Sequence, residues 1–222
     1  MFKCYICLLI SLMLSNNNFD ENFKILSHLK ESEGWFLISS RADSVFVYEK
    51  NINNKKINAL KVQKVVKSKS ENIMNVIMNV SEYPEIMNNE KVTSSIIKKD
   101  NKSVYAYNHF PIPIPFMSDR HYIFILNQIS NKNVEWVLLP IEETLSDSEI
   151  QKIINKNSDA VYMQEGAGFW EVEYLSDNFS QVSYALYMDS AGSISDYLND
   201  YLNSYSIINL FKSVLKKAEE IN

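Results

Sequence analysis

The side chains in this chain that could do chemistry are few, and most of them gather in one place. Asp119, Arg120 and His121 are consecutive, and Tyr107 lies on the preceding strand-like run. A carboxylate, an imidazole that titrates near neutral pH and a phenol could move a proton between them if the fold brought them together. The same residues could equally be a hydrogen-bonded cluster at a strand end. The other histidines, His28 and His109, stand at no close ligand spacing, no H-E-x-x-H occurs, and no metal or other cofactor is expected. There is no G-x-S-x-G elbow, and four glycines leave little scope for a phosphate-cradling loop. Both cysteines, Cys4 and Cys7, precede Ser15, so the remainder of the chain has no thiol chemistry.

Just ahead of this cluster the chain reads "NHFPIPIPFMSDRHYIF" from Asn108 to Phe124, with three of the five prolines alternating with isoleucine. Polar turn residues are the usual choice for such a connection. A proline-stiffened, oily tip is either a connection packed on its own domain or a surface that meets something apolar.

The rest of the composition supports a binding role better than a catalytic one. The 222 residues can bury a substantial core, 46% are hydrophobic, and thirteen tyrosines and eleven phenylalanines supply many rings. A net charge of -5 offers no broad basic field for a phosphate backbone, so nucleic acid is an unexpected partner. Met1 to Ser15, "MFKCYICLLISLMLS", has a basic residue and then an apolar run too short to span a bilayer. It fits the signal peptide of an exported protein, periplasmic or secreted, with cleavage possible after Ser15. The alternative is a buried N-terminal element in a cytoplasmic protein.

Periodicity then sets the elements that must position the cluster. Residues 16–34 form an N-terminal helical segment in which Phe19, Phe23, Leu26 and Leu29 recur at helical spacing. Strands are expected over 35–39, 44–48 and 58–67, then a helix capped by Ser70 and followed by Pro84. Further strands are expected over 91–98, 103–110, 121–129, 134–140, 160–175 (interrupted near Gly166 and Gly168) and 181–188, with a small helix between Pro140 and Ala160. Alternation puts Val182, Tyr184, Leu186 and Met188 on one face of the last strand, Trp170, Val172 and Tyr174 on one face of another, and Trp136 with Leu138 on a third. A long amphipathic helix closes the chain, opened by Ser193 and Asp196 at capping-box spacing. The fold class that buries these elements is α+β, a curved antiparallel sheet of about nine strands wrapped around the C-terminal helix as one domain over 35–222.

Several stretches resemble the START (steroidogenic acute regulatory protein-related lipid-transfer) domain, a helix-grip fold of the SRPBCC-like superfamily. "ALKVQKVVKSKSENIMNVIMNVSEYPEIM" from Ala59 looks like that family's strand, helix and "YP" turn, and "MSDRHYIF" like its "RD-aromatic" entrance to a central strand. "GAGFWEVEYL" and "YALYMDSAGSISDYL" look like the last two strands and the turn into the final helix. The sequence departs from the pattern at Ser190, Ala191 and Ser195, where proline, glycine and proline are usual, and at Leu126, where some sterol-binding members carry an arginine.

The resemblance implies lipid binding or lipid transfer by an internal hydrophobic cavity, with transient membrane contact and no covalent chemistry. It implies a cavity wall that includes Tyr107, Phe124, Trp136 and Trp170 from the sheet, Tyr184 and Leu186 from the last strand, and Leu198 and Tyr201 from the final helix. Asp119, Arg120 and His121 become a polar cluster at the cavity mouth, and Ile112, Ile114, Phe116 and Met117 a gate that touches the bilayer. The alternatives are a cyclase- or hydrolase-like enzyme of the same superfamily using His121, Asp119 and Tyr107, or a regulatory or envelope domain whose cavity is filled.

Overall fold

The computed structural model of the protein describes residues 18–112, 114–176, 178–192 and 196–221, with side chains described throughout except over 196–205. The expected signal at 1–15 and Ser193 of the expected capping box lie outside these residues.

Strands whose two faces are both apolar need cover on both sides, and that requirement organises the molecule. Ten strands form one sheet: β1 (Phe36–Ser40), β2 (Phe46–Lys50), β3 (Ala59–Val66), β4 (Thr93–Lys99), β5 (Ser103–Phe110), β6 (Arg120–Gln128), β7 (Asn133–Leu138), β8 (Val161–Tyr162), β9 (Gly166–Ser176) and β10 (Phe179–Met188). Their order is β1-β2-β3-β10-β9-β7-β6-β5-β4, antiparallel throughout, with β8 added in parallel beside β6. The helices are α1 (18–30), α2 (Ser70–Met78), α3 (Tyr83–Ile86), α4 (Ser148–Lys156) and α5 (Asp196–Glu220). This is the α+β architecture expected from the sequence, a curved antiparallel sheet holding a long C-terminal helix.

The inner face of the sheet carries Val62, Ala106, Phe124, Trp136, Trp170 and Tyr184, and α5 covers it with Ile207, Phe211, Val214 and Leu215, flanked by Ile73 and Ile77 of α2. The outer face carries Tyr107, Ile123, Val137, Ala167 and Tyr187 and is covered by Ile25 and Leu29 of α1 and by Ile150 and Ile154 of α4. α1 is tied to the sheet by Asn22, which is fully buried. Its Nδ2 donates to Leu138 O and Gln164 O, both at 2.9 Å, and its Oδ1 accepts from Gly166 N at 2.9 Å.

The interruption expected in the run 160–175 is present: β8 pairs with β6, and the chain then crosses over before β9 begins at Gly166, where Asn22 satisfies the backbone groups that the break frees. One local expectation needs correction. Ser70 does not cap α2. Lys69 holds the cap position with no side-chain bond, and the serines there serve the tertiary structure instead: Ser68 Oγ donates to Ala218 O of α5 at 2.9 Å, and Ser180 Oγ donates to Ser68 O at 2.9 Å. Tyr174 shares the face of Trp170 and Val172 but is exposed, because β9 runs on past the end of α5's cover into an exposed hairpin.

Gly168 shapes the inner face. It pairs with Trp136 across β7 and β9, and a Cβ there would lie 2.5 Å from Ala185 O and 2.7 Å from the Trp136 ring. Backbone oxygen and indole cannot both yield. Gly168→Ala is therefore expected to destabilise the protein by about 3 kcal/mol, the upper range for overpacking, read as a lowered urea midpoint. An unchanged midpoint would show that the indole can move off the strand.

Candidate functional site

Where β5, β6, β7, β9 and β10 meet the start of α3 and the middle of α5, the inner face leaves a cavity of about 30 Å³. Its sheet wall is aromatic: Tyr122, Phe124, Trp136, Trp170 and Tyr184, with Leu126 and Met188 between them. Tyr83 closes one side and Leu210 of α5 the other. The wall is rigid because its rings stack. Trp170 and Tyr184, cross-strand partners, lie 3.9 Å apart between centroids at 8°, and Phe211 of α5 continues the stack at 5.9 Å. Trp136 packs against Gly168, its cross-strand partner.

The polar groups in this wall are neutral. Tyr83 donates to Ile77 O at 2.6 Å, and burial drives its phenol and that of Tyr184 well above the usual range. Burial pushes Tyr122 up to about 12, so it keeps its proton, and its oxygen accepts from Asn108 Nδ2 at 3.2 Å. Asn108 is 4% exposed and its Oδ1 has no hydrogen-bond partner among the described residues.

The structure brings together Phe124, Trp136, Trp170 and Tyr184 of the wall read from the sequence, and places Leu186 in the same core beside it. The side chains of Leu198 and Tyr201 lie outside the described residues. Tyr107 is a correction. On β5 the face toward α5 is Val104, Ala106 and Asn108, so Tyr107 points the other way, into the outer layer. Preference for an aromatic ring picked the wrong face of that strand. Tyr83, Asn108, Tyr122 and Leu210 were missed; Asn108 and Tyr122 could have been found by stepping back in twos from Phe124 and aligning β5 with β6.

The expected polar cluster also divides. Arg120 and His121 alternate, so they face opposite sides of the sheet. His121 is buried in the outer layer, where its Nδ1 lies 3.3 Å from Tyr107 Oη and its ring meets Tyr162 edge-on at 5.2 Å. Asp119 turns away from it: its Oδ2 pairs with His109 Nε2 at 3.4 Å and its Oδ1 accepts from Ile112 N at 3.1 Å. The acid-base trio therefore does not converge and does not face the cavity. Among the described residues no group of three or more His, Cys, Asp and Glu could hold a metal ion.

Arg120 is buried and ties two segments together. Its guanidinium donates to Ser118 O in the β5–β6 connection, and to Ser190 O at 2.6 Å and Ala191 O at 3.2 Å in the turn before α5. That turn is strained, with Ala191 at φ 54° where a glycine would sit without cost. The expected gate occupies the connection. Met117 N donates to Ile114 O at 3.2 Å, and Phe116, at φ 66°, holds its ring fully in solvent. A bulky residue with positive φ is an outlier that local structure must enforce.

Two predictions follow from these contacts. Arg120→Met keeps the stem but leaves buried carbonyls unpaired, so stability should fall by about 2–3 kcal/mol, with amide exchange accelerating first at 111–119 and 189–192. Uniform acceleration across the sheet would contradict a local clamp. Burial, aided by the nearby His109 charge, lowers the His121 pKa. The unfolded chain then binds the proton more readily, so the stability is complete above about pH 6.5 and is lost as pH falls through the lowered folded value. His121→Phe should flatten the change in urea midpoint between pH 7.5 and 5; an unaltered slope would assign it to other groups.

No family model matches the chain, and neither does any curated protein. Solved structures do. A STAR-related lipid transfer protein fragment from Xanthomonas axonopodis superposes with a TM-score of 0.67 at 16% identity, covering 84% of this chain and 99% of its own. Human StAR-related lipid transfer protein 5 gives 0.63 at 13% identity over 96% of this chain and 98% of its own. The Zhui aromatase/cyclase from Streptomyces sp. R1128 gives 0.52 at 12% identity over 72% and 93%. At such identities the likeness carries architecture and not ligand, and what it shows is that this chain has the helix-grip fold of the START-related lipid-transfer proteins.

Proposed function

We propose that the protein binds one hydrophobic molecule between the inner face of its sheet and α5, and carries it between membranes. The observation that carries this reading is the aromatic wall between sheet and helix, with no charged side chain among the described residues that line it. Lipid-transfer names among the solved structures of this fold support it. The acid-base trio that a cyclase-like reading needs does not face that space, so no observation in the cavity favours an enzyme.

The energetics explain why a protein is useful for such a task. At about 0.8 kcal/mol per methylene, a sixteen-carbon chain in water costs on the order of 12 kcal/mol, and an apolar interior removes most of that barrier without covalent chemistry. A drug-sized ligand needs about 300 Å³ or more, ten times the present cavity, so loading requires α5 and the sheet to part. The Arg120 clamp joins the loop to the helix entrance, which couples that opening to the Phe116 tip. A tip that holds phenylalanine in solvent at positive φ suits insertion into a bilayer. Export remains part of the proposal through residues 1–15, and among the described residues no helix is long and apolar enough to cross a membrane.

Two measurements test this. The purified chain should exchange a fluorescent fatty-chain lipid with liposomes, and failure to bind or co-purify with any lipid would remove the proposal. Ile114→Asp with Phe116→Asp should slow transfer between liposomes about tenfold or more, given about 1.5–3 kcal/mol per apolar side chain buried, while leaving fold and ligand affinity intact. Unchanged transfer would make the loop a stiff connection only.

A further inference from the structure

The strongest unexplained group in the molecule is the Asn108 carboxamide. It is almost fully buried, it lines the cavity, and its Oδ1 has no partner among the described residues. Buried side-chain acceptors are nearly always satisfied, and an orphan is costly enough to need a reason. Its Nδ2 gives one N–H to Tyr122 Oη at 3.2 Å. The tyrosine oxygen is thereby an acceptor, and no described residue receives its O–H proton. Side by side on β5 and β6, where Asn108 and Tyr122 are directly paired, the two residues thus offer a free acceptor in Oδ1 and free donors in the phenol and the second N–H of Nδ2. Turning the amide over would not satisfy it: Tyr122 could then donate to Oδ1, but the two N–H donors would be stranded instead. Either way the pair cannot close on itself.

We propose that Asn108 and Tyr122 are the polar anchor of the cavity, and that they select an uncharged lipid whose polar end is a hydroxyl. A hydroxyl both donates and accepts, so it can give its proton to Asn108 Oδ1 and receive that of Tyr122. An ester or ether oxygen only accepts and leaves Oδ1 orphaned. A phosphate or carboxylate brings charge into a wall with no described cation, facing the negative end of the carboxamide, which is unfavourable. Leu126 on the neighbouring strand supplies no charge either. The inference rests on the lipid-binding reading above and names the ligand class at that same site.

The test uses three probes with one chain length, so that the hydrophobic contribution cancels: 1-hexadecanol, its methyl ether and hexadecyl phosphate, each displacing a bound fluorescent fatty-chain analogue from the purified protein. The alcohol should bind about tenfold more tightly than the ether, the equivalent of one net neutral hydrogen bond, and the phosphate should bind most weakly. In Asn108→Leu the preference for alcohol over ether should fall to about one. Tyr122→Phe, which keeps the ring and its stacking, should weaken alcohol and ether alike, since both accept from the phenol, so the anchor is still tested if the leucine variant misfolds. Equal affinity for alcohol and ether, a preference for phosphate, an alcohol preference that survives Asn108→Leu, or unchanged affinities in Tyr122→Phe would overturn the anchor while leaving lipid binding in place. If none of the probes displaces the analogue and no lipid exchanges, the lipid-binding reading itself falls and takes the anchor with it.

Discussion

The indole of Trp170 lies face to face with Tyr184 at 3.9 Å and close to parallel with Phe211 at 5.9 Å, and this three-ring stack joins the last helix to the middle of the sheet. Aromatic pairs of this kind contribute about 0.5–1.5 kcal/mol beyond the area they bury, and all three rings are almost wholly buried. Gly168, two residues from Trp170, leaves room for the Trp136 ring beside the stack, because a Cβ there would lie 2.7 Å from the indole. The cavity is therefore a consequence of ring geometry. Flat rings tile a wall, and Asn108 is what β5 contributes where the tiling ends.

The described part of α5 and the turn that precedes the helix are held by different physics. Toward its C-terminus the grip is mostly apolar, through Phe211, Val214 and Leu215, with Ser68 bonded to Ala218 O and Lys212 paired with Asp43. At the turn the described grip is polar and passes through one guanidinium shared with the β5–β6 connection. Apolar burial is non-directional and tolerates small displacements, whereas a forked set of hydrogen bonds is made or broken as a unit. Strained backbone at both Ala191 and Phe116 raises the energy of the closed arrangement on either side of Arg120. Among the described contacts, the bonds of one side chain join these two segments.

The order of elements was legible in the sequence because both long signals are one-dimensional. Helical spacing marked α1, α2 and α5, and period-two alternation marked the strands. What alternation does not reveal is which face looks inward when both faces are covered. Tyr107 and Asn108 are neighbours, and the ring was the more tempting cavity residue, yet the register with Tyr122 puts the amide inside. The same ambiguity divided Arg120 from His121. Asn22 carried no local signal: an asparagine in a helix reads as surface until the break between β8 and β9 and the end of β7, more than a hundred residues away, supply three backbone groups for it to satisfy. Ser70 read as a cap for the same reason, since its partner Ser180 on β10 is invisible to spacing.

The relative size of two defects in the cavity decides what it would recognise. A void of about 30 Å³ costs about 0.7 kcal/mol at 24 cal/mol per Å³. One unsatisfied buried acceptor costs about 1–3 kcal/mol. The polar defect is the larger, so filling space alone removes the smaller part of the bias toward a ligand. A hydrocarbon could recover only the first term, and a lipid with a well-placed hydroxyl recovers both. The protein has no cation among the described wall residues to attract a charged headgroup, and a carboxamide cannot titrate to become one. On the proposed reading, discrimination in this cavity begins with the neutral hydrogen bond to Asn108 Oδ1, and the fit of the hydrocarbon body adds the smaller term.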